Sequence, residues 1–426
     1  MKKNWKPWLF AVTGGLAQIA LAAAPCVPAA QPAGPRALGA WIDGGNWLAP
    51  GALRATLRTP GTFMPRQGAT SDREAAPLAP AARPLDLDRL TLADPVDGAQ
   101  RSLAFVLDSR LHAESVFVLY NGRAFAERDW HEARSDVPAL LPQAGRPLLS
   151  LLGVMAVGQG KLAAERAVSR YIPALGNDAG LRRLSVQRLL EGSARFDWSA
   201  ADLDGWRRAA GWPGVAATDA APGGGVREWL RQPERWDAAL LDLPPPTPVG
   251  APEDDLLAWL LAETQSAPLA RLFCEQLFDR LRPEQPVSWL ADAAGNELGG
   301  GLVMSLRDFA RVGQLLVDAR TTPGRGRIPA WFIEALAAPV LKAGDAAPPG
   351  LKKGGELRYG FVRLAGPGSR VAIVGAHGTS LYIDFERRLV VALRAAYPEA
   401  RSPLQLALLE SVWERFSAAL PLPGRR

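Results

Sequence analysis

Lysine positions limit the chemistry that this 426-residue chain can perform. A serine followed three residues later on a helix by a lysine pairs a nucleophile with a neighbouring base, which suits acyl transfer. The chain has seven lysines, at positions 2, 3, 6, 161, 342, 352 and 353. The residues three before the last four are Gly158, Pro339, Pro349 and Gly350. Ser-x-x-Lys therefore occurs nowhere in the sequence.

Histidines and cysteines are few and scattered. They are His112, His131, His377, Cys26 and Cys274. Their spacing matches no zinc-ligand pattern, so we expect no metal and no cofactor. Cys274 lies in the apolar helical pattern of residues 269–278, which predicts a buried small hydrophobic residue rather than a nucleophile. With one core cysteine, we expect no disulfide framework.

The N-terminal segment has the pattern of a secretory signal. Lys2, Lys3 and Lys6 precede an apolar run over residues 8–24, and Ala20-Leu21-Ala22 offers a small-residue cleavage site. We expect a signal peptide over residues 1–24, a flexible Ala/Pro-rich leader over 25–40, and an exported, periplasmic protein. An uncleaved inner-membrane anchor is the alternative. Lipidation of Cys26 is disfavoured because Pro25 stands where a small residue is needed.

The net charge gives no sign of a nucleic-acid partner. Lysine and arginine total 49 against 43 aspartates and glutamates, which leaves a formal charge of +6. Removal of the three N-terminal lysines with the signal would reduce this excess to three. We therefore expect neither a nucleic-acid footprint nor an anionic-membrane footprint, apart from the signal itself.

The hydrophobic pattern predicts strands at both ends of the folded part. Residues 102–107, 115–120 and 123–128 read as strands, and Asn121-Gly122 predicts a hairpin between the last two. Residues 370–374, 379–384 and 388–394 predict an antiparallel meander, followed by an amphipathic helix over 403–420 that covers one face of the sheet. The fold class is therefore α+β.

The middle of the chain is predicted to be helical. Residues 148–162 are apolar on nearly all sides and indicate a buried helix, and Ser305 with Asp308 forms a capping-box pattern for a later one. We expect a single domain over 41–426. Its α/β lobe would contain about 41–160 and 290–426, and its inserted helical lobe about 161–289. A small-molecule site would lie between the lobes.

Several motifs occur together in a recognisable order. They include Gly160-Lys161-Leu162, the Tyr171 segment, Gly299-Gly300-Gly301 before residues 305–313, and residues 375–384. Together they resemble the serine hydrolases related to class C β-lactamases, particularly the branch that contains 6-aminohexanoate-dimer hydrolase and esterases. The resemblance covers roughly residues 40–420. It implies a β-lactamase/transpeptidase-like fold, with an antiparallel sheet flanked by terminal helices and an inserted helical lobe.

The chemistry of this family requires a serine, a lysine one helical turn later and a tyrosine from the helical lobe. Counting back from Gly160 places the serine at Gln143 and the lysine at Arg146, and counting back from Asp255 places the tyrosine near Val249. A carboxamide is no nucleophile, and an arginine stays protonated. The resemblance therefore implies that no catalytic residue is intact.

Other residues could still line the predicted cleft. His377, Gly378 and Thr379 stand where the family has a Lys/His-Thr-Gly-like element, and the alternative for His377 is a strand-end residue bonded to a backbone carbonyl. Ser150 is the fallback nucleophile, although its apolar surroundings favour a buried serine bonded to its own helix. Ser193 follows Gly192 but lacks the second glycine of a nucleophile elbow.

Two functions follow as expectations. The first is a non-catalytic homologue that binds a small molecule or peptide between the lobes, or a partner at its surface, because residues that act as a unit lose their purpose together. The alternative is an active amide or ester hydrolase, of the 6-aminohexanoate-dimer hydrolase or esterase type, with a rearranged nucleophile.

Overall fold

Two antiparallel sheets organise the fold. The structure is a computed structural model that describes residues 26–31, 46–176, 180–192, 195–212, 224–232, 236, 240–241, 251–340, 350–351 and 354–421. Its strands are β1 (Cys26–Gln31), β2 (Arg66–Ser71), β3 (Thr91–Ala93), β4 (Gln100–Ser102), β5 (Ala113–Tyr120), β6 (Arg123–Asp129), β7 (Ala139–Leu140), β8 (Arg195–Phe196), β9 (Leu240–Leu241), β10 (Val287–Ala291), β11 (Glu297–Met304), β12 (Gly355–Arg358), β13 (Phe361–Leu364), β14 (Arg370–Val374), β15 (Ser380–Asp384) and β16 (Leu389–Ala395).

Helices connect and cover these sheets. They are α1 (Pro50–Arg58), α2 (Leu103–Phe105), α3 (Gly145–Gly158), α4 (Val186–Glu191), α5 (Ala200–Ala210), α6 (Gly225–Leu230), α7 (Pro252–Gln265), α8 (Leu269–Gln276), α9 (Leu306–Thr321), α10 (Ala330–Ala337) and α11 (Pro403–Ala418). The predicted hairpin at Asn121-Gly122 is confirmed by the pairing of β5 with β6. The predicted C-terminal meander is confirmed by β14, β15 and β16.

The larger sheet is buried on both faces. Its strand order is β12-β13-β14-β15-β16-β5-β6. Along β15, Leu381 and Ile383 point to the core that contains α9, whereas Tyr382 points to the core that contains α11. Tyr382 stacks on Trp413 of α11 with ring centroids 5.5 Å apart. The predicted cover by a C-terminal helix is therefore confirmed, and strand alternation supplies both cores.

The smaller sheet corrects the prediction of a flexible leader over residues 25–40 for residues 26–31, the part of that segment that the structure describes. Its strand order is β1-β2-β10-β11-β7, and β1 pairs antiparallel with β2 from Cys26–Ser71 to Gln31–Arg66. Cys26 is 1% exposed. The Ala/Pro-rich composition of this segment gave no sign of an edge strand. The strand forms through backbone hydrogen bonds to β2, which do not depend on the type of side chain.

A disulfide corrects the interpretation of both cysteines. Cys26 of β1 is bonded to Cys274 of α8, across a sequence separation of 248 residues. Cys274 is buried, as predicted, but it is neither isolated nor free. The prediction failed because Cys26 was assigned to a leader outside the fold, which left Cys274 without a partner.

The strand predicted over residues 102–107 is also wrong. Only Ser102 belongs to a strand, and its hydroxyl accepts a hydrogen bond from the Phe105 backbone N–H as the N-cap of α2. The chain continues as one turn of π-helix, Val106–Arg110. Leu103, Val106 and Leu107 are fully buried, and a short run of apolar residues does not distinguish a buried helix from a strand.

The part of the chain that the structure describes contains no helix long and apolar enough to cross a membrane. Within the same residues, no group of three or more histidine, cysteine, aspartate or glutamate side chains could hold a metal ion.

Candidate functional site

The start of α3 lies against the smaller sheet. Leu141 N–H donates to the Leu302 carbonyl at 2.8 Å, and Gln143 N–H donates to the Gly300 carbonyl at 2.9 Å. Gln143 has a φ of 60° and lies in the turn before α3. The position predicted for the nucleophile is therefore held in the left-handed region, where a residue other than glycine is uncommon.

Two glycines bring α3 and α7 close to the backbone of β11. A Cβ atom on Gly145 would come within 2.5 Å of the Gly299 carbonyl oxygen, and one on Gly299 would come within 2.5 Å of the Asp254 carbonyl oxygen. Neither separation leaves room for a side chain. The first turn of α3, strand β11 and the first turn of α7 are thus stacked backbone on backbone, which gives the Gly299-Gly300-Gly301 motif a packing role.

Arg146 joins three elements at the position predicted for the lysine. Its Nη1 lies 3.0 Å from Asp254 Oδ1 and 3.4 Å from the Glu253 carbonyl, both on α7. Its Nη2 donates to the Leu189 carbonyl of α4. The side chains of Arg146 and Asp254 are 11% and 10% exposed. A guanidinium in this arrangement acts as a structural bridge and cannot accept the proton of a nucleophile.

The loop between β14 and β15 faces the same turn. Ala376 N–H donates to the Pro142 carbonyl at 2.8 Å, and a Cβ atom on Gly375 would come within 2.4 Å of that oxygen. Arg401 Nη2 lies 3.4 Å from Gln143 Oε1 and 3.2 Å from the Val374 carbonyl. The structure therefore brings the predicted third motif beside Gln143, and Arg401 bridges the two segments.

His377 is bonded to the backbone beside this loop. Its Nδ1 lies 2.8 Å from the Tyr397 carbonyl oxygen, so Nδ1 carries the proton and donates. The residue is 4% exposed and has a φ of 56°. Burial lowers the pKa of His377 from its ordinary value. This geometry matches the alternative reading of His377 as a residue satisfied by a backbone carbonyl.

Gly378 and Thr379 complete the loop. Gly378 has a φ of 85°, which a glycine adopts without strain. Thr379 is fully buried, and its backbone N–H donates to the Ala376 carbonyl while its own carbonyl accepts from Gly375 N–H. Both residues therefore shape a tight loop next to Gln143.

Ser150 is buried and its hydroxyl is occupied. Its Oγ donates to the Leu190 carbonyl of α4 at 2.7 Å, and the residue is 0% exposed. The sequence predicted a bond within the serine's own helix, whereas the structure shows a bond between helices. Ser193 and Val249 lie outside the described residues.

The chain is similar in sequence and in fold to several known proteins. No family profile matches the chain. The chain is 23% identical over 351 residues to 6-aminohexanoate-dimer hydrolase of Paenarthrobacter ureafaciens. The aligned region covers 80% of this chain and 84% of that protein. A Bacillus anthracis structure provisionally described as a 6-aminohexanoate-dimer hydrolase superposes with a TM-score of 0.74 at 17% identity, covering 91% of this chain and 100% of that one.

A second solved structure extends the likeness. A Bacteroides dorei protein, provisionally described as a β-lactamase, superposes with a TM-score of 0.54 at 13% identity and covers 73% of this chain and 94% of that one. The protein has the fold of the β-lactamase-related serine hydrolases. The predicted fold class is confirmed, and the curated relative supports the predicted resemblance to the 6-aminohexanoate-dimer hydrolase branch.

Buried carboxyl groups beside the candidate site of this β-lactamase-like fold were missed at the sequence level. Asp255 Oδ2 accepts from Trp206 Nε1 at 2.7 Å, and its Oδ1 accepts from Gly299 N–H at 2.8 Å. Burial raises the pKa of Asp255 to about 7. Three consecutive acidic residues on a helix that is otherwise apolar were the available signal, since acidic side chains are rarely buried without a partner.

Glu297, at the start of β11, is a second buried carboxyl group with a raised pKa. Its carboxylate accepts from the Leu269 and Ala270 backbone N–H groups, at 2.5 and 2.8 Å, and so caps α8. Burial raises the pKa of Glu297 to about 7. Both carboxyl groups therefore hold a proton in the folded protein at a pH where the unfolded chain has lost it.

The contribution of Asp255 and Glu297 to stability should fall as the pH rises from about 4 to about 7 and level off above that range, whereas His377, whose pKa is lowered by burial, contributes a slope of the opposite sign. In this window these two carboxyl groups bind more protons in the folded state than in the unfolded state, because both folded pKa values are raised. Between about pH 5 and pH 7, each group should lower the free energy of unfolding by about 2 kcal/mol. Urea unfolding at several pH values measures this slope.

The variant Glu297→Gln should flatten that slope, whatever it does to the stability at any single pH. Glu334→Gln, at an exposed position on α10, is the matched control and should keep the wild-type slope. Parallel slopes in Glu297→Gln and the wild type would show that Glu297 is ionised throughout the window.

Proposed function

We propose that the protein is an exported, non-catalytic relative of the β-lactamase-related serine hydrolases, and that its inter-lobe cleft binds a small molecule or peptide. The observation that carries this proposal is the bridge from Arg146 to Asp254 and to the Leu189 carbonyl. At the position where the family's chemistry needs a base, a permanently charged guanidinium holds α3, α4 and α7 together.

The neighbouring side chains support the same function. Gln143 has no nucleophilic atom, and Arg401 lies against its carboxamide oxygen. Ser150, the nearest hydroxyl on α3, is committed to the Leu190 carbonyl and fully buried. Acyl transfer needs a hydroxyl with a base in hydrogen-bond reach, and neither Gln143 nor Ser150 is placed in that way.

The disulfide supports the proposed export. Disulfides form and persist in oxidising compartments such as the bacterial periplasm. Cys26 lies two residues beyond the proposed signal segment, and it is bonded within the fold rather than available for lipidation. A mature protein that begins between the proposed cleavage site and Cys26 would retain the disulfide. Cell fractionation followed by N-terminal sequencing tests this proposal.

A covalent-probe experiment tests the proposed lack of catalysis. The purified protein is incubated with a fluorophosphonate and with a fluorescent penicillin, and its intact mass is then measured. We expect no adduct and no turnover of ester substrates, because Ser150, the serine of α3, donates its hydroxyl to the Leu190 carbonyl. A stoichiometric adduct would establish the alternative of an active amide or ester hydrolase, and peptide mapping would locate its nucleophile.

Ser150→Ala is the matched variant for that experiment. It should remain unlabelled like the wild type and lose about 1 kcal/mol of stability, since the Leu190 carbonyl loses its donor. If the wild type is labelled and Ser150→Ala is not, Ser150 is the rearranged nucleophile.

A further inference from the structure

A cavity of about 360 Å³ lies at the C-terminal end of α7. We call it the Arg227 cavity. Its walls include Arg227 of α6, Glu263 of α7, Gln67 of β2 and Asn296 of the turn between β10 and β11. Glu263 is nine residues along α7 from Asp254, a distance of about 14 Å. The cavity is therefore separate from the site around the start of α3.

The Arg227 guanidinium lies over the Trp259 ring of α7, with its Cζ 5.5 Å from the ring centroid. A guanidinium on an aromatic face keeps the N–H groups at its edge available for hydrogen bonds. Arg227 is half-buried, and with the rest of the described chain it forms no ion pair and no hydrogen bond. Burial lowers the pKa of Arg227 from its ordinary value. An anionic acceptor within hydrogen-bond distance would therefore stabilise its charge.

Three carboxyl groups lie close enough to Arg227 for their charges to interact, those of Glu263, Asp292 and Glu297. Both oxygens of Asp292 accept N–H groups, from α6 and from the turn between β10 and β11. Both oxygens of Glu297 cap α8. Glu263 differs, because among the described residues only Trp259 Nε1 donates to it, at 3.2 Å from Oε2. The Oε1 atom of Glu263 is therefore available to a ligand.

The cavity thus presents groups of both charges. Arg227 offers N–H donors for a carboxylate, and Glu263 offers an acceptor for an ammonium group. A simple anion would be repelled by the surrounding carboxylates, and a simple cation would be repelled by the guanidinium. A ligand that carries both charges matches both groups, and cavities above about 300 Å³ are large enough for small molecules.

We propose that the Arg227 cavity binds a small zwitterion, an amino acid or a short peptide, with its carboxylate on Arg227 and its ammonium group on Glu263. The Gln67 carboxamide, with a donor and an acceptor, lines the same cavity and suits the polar backbone of such a ligand. This site is distinct from the inter-lobe cleft, and it does not depend on whether the protein is catalytic.

Isothermal titration of the disulfide-intact protein tests the proposal. The probes are L-alanine and L-alanyl-L-alanine, each also in an N-acetyl form and as a C-terminal amide. At about pH 6.5 both end groups of the uncapped probes are charged. We expect an uncapped probe to bind, and the tighter of the two identifies a site for an amino acid or for a peptide. Each capped form should bind about tenfold more weakly or worse, because one charge-assisted contact is lost.

Two results would overturn the proposal. One is the absence of binding by both uncapped probes at about 10 mM. The other is equal affinity for an uncapped probe and either of its capped forms, because the site would then not recognise one of the two charges.

Two variants locate the binding. Arg227→Gln should weaken binding of the uncapped probe about tenfold or more and should remove the preference for that probe over its amide. Glu263→Gln should instead remove the preference over the N-acetyl form. Because Glu263 is exposed, its replacement tests the site with little effect on folding.

Arg231→Gln and Glu334→Gln are the matched controls, since both positions are exposed and lie outside the cavity. Both controls should bind the probe like the wild type. If Arg227→Gln and Glu263→Gln also bind it like the wild type, the probe binds elsewhere and the site is rejected.

Discussion

Arg146→Met should destabilise the protein by about 3–5 kcal/mol, because removal of one partner leaves a buried charge without its counterion. Asp254 would remain about nine-tenths buried, and the Leu189 carbonyl would lose its donor. Methionine keeps most of the side-chain volume, so the loss would not come from a cavity. Urea unfolding followed by circular dichroism measures the change.

Two comparison variants make that result specific. Arg146→Lys keeps the positive charge but loses the planar fork that reaches α4 and α7 together, so an intermediate loss is expected. Arg89→Met, on an exposed pair with Asp86, should change stability by less than about 0.5 kcal/mol. If Arg146→Met is as stable as Arg89→Met, the bridge does not hold these elements together.

Replacing both Cys26 and Cys274 by serine should lower the free energy of unfolding by about 5 kcal/mol, the chain-entropy value for a loop of this length. The loop spans 248 residues, which is more than half of the chain. Strand β1 is an edge strand with β2 as its partner, so loss of the tether should also let β1 separate from the sheet. Hydrogen exchange of the β1 amides would report that separation.

Reduction of the wild type provides the matched control. Dithiothreitol should lower its stability toward that of the double variant and should leave the double variant unchanged. Detection of two free thiols by mass in protein purified from an oxidising compartment would contradict the bond between Cys26 and Cys274.

Local patterns predicted the larger sheet and the main helices well. The short runs of β15 and β16 between polar turns, the Asn121-Gly122 turn and the apolar run of α3 are each determined by short-range sequence, so each can be read from a few neighbouring residues. The helix that begins after Ser305 was predicted from its cap, and the Ser305 hydroxyl accepts from Asp308 N–H at 3.0 Å.

The failures involve contacts between distant residues. The edge strand β1 and its disulfide depend on pairing with β2 and α8, which nothing within residues 26–31 reveals. The same holds for the candidate site. The sequence indicated that Arg146 could not be a base, but its role as a bridge depends on Leu189 and Asp254, which are 43 and 108 residues away.

The stacking of Gly145 on Gly299 limits how the region around Gln143 can adapt. A contact between two backbones contains no side chain that could rotate or compress, so α3 and β11 are mechanically coupled and shift together or not at all. The groups that can move in this region are instead long side chains such as Arg401, because a change of rotamer costs little free energy. Adjustment to an incoming molecule would therefore occur by side-chain rearrangement over a stiff backbone frame.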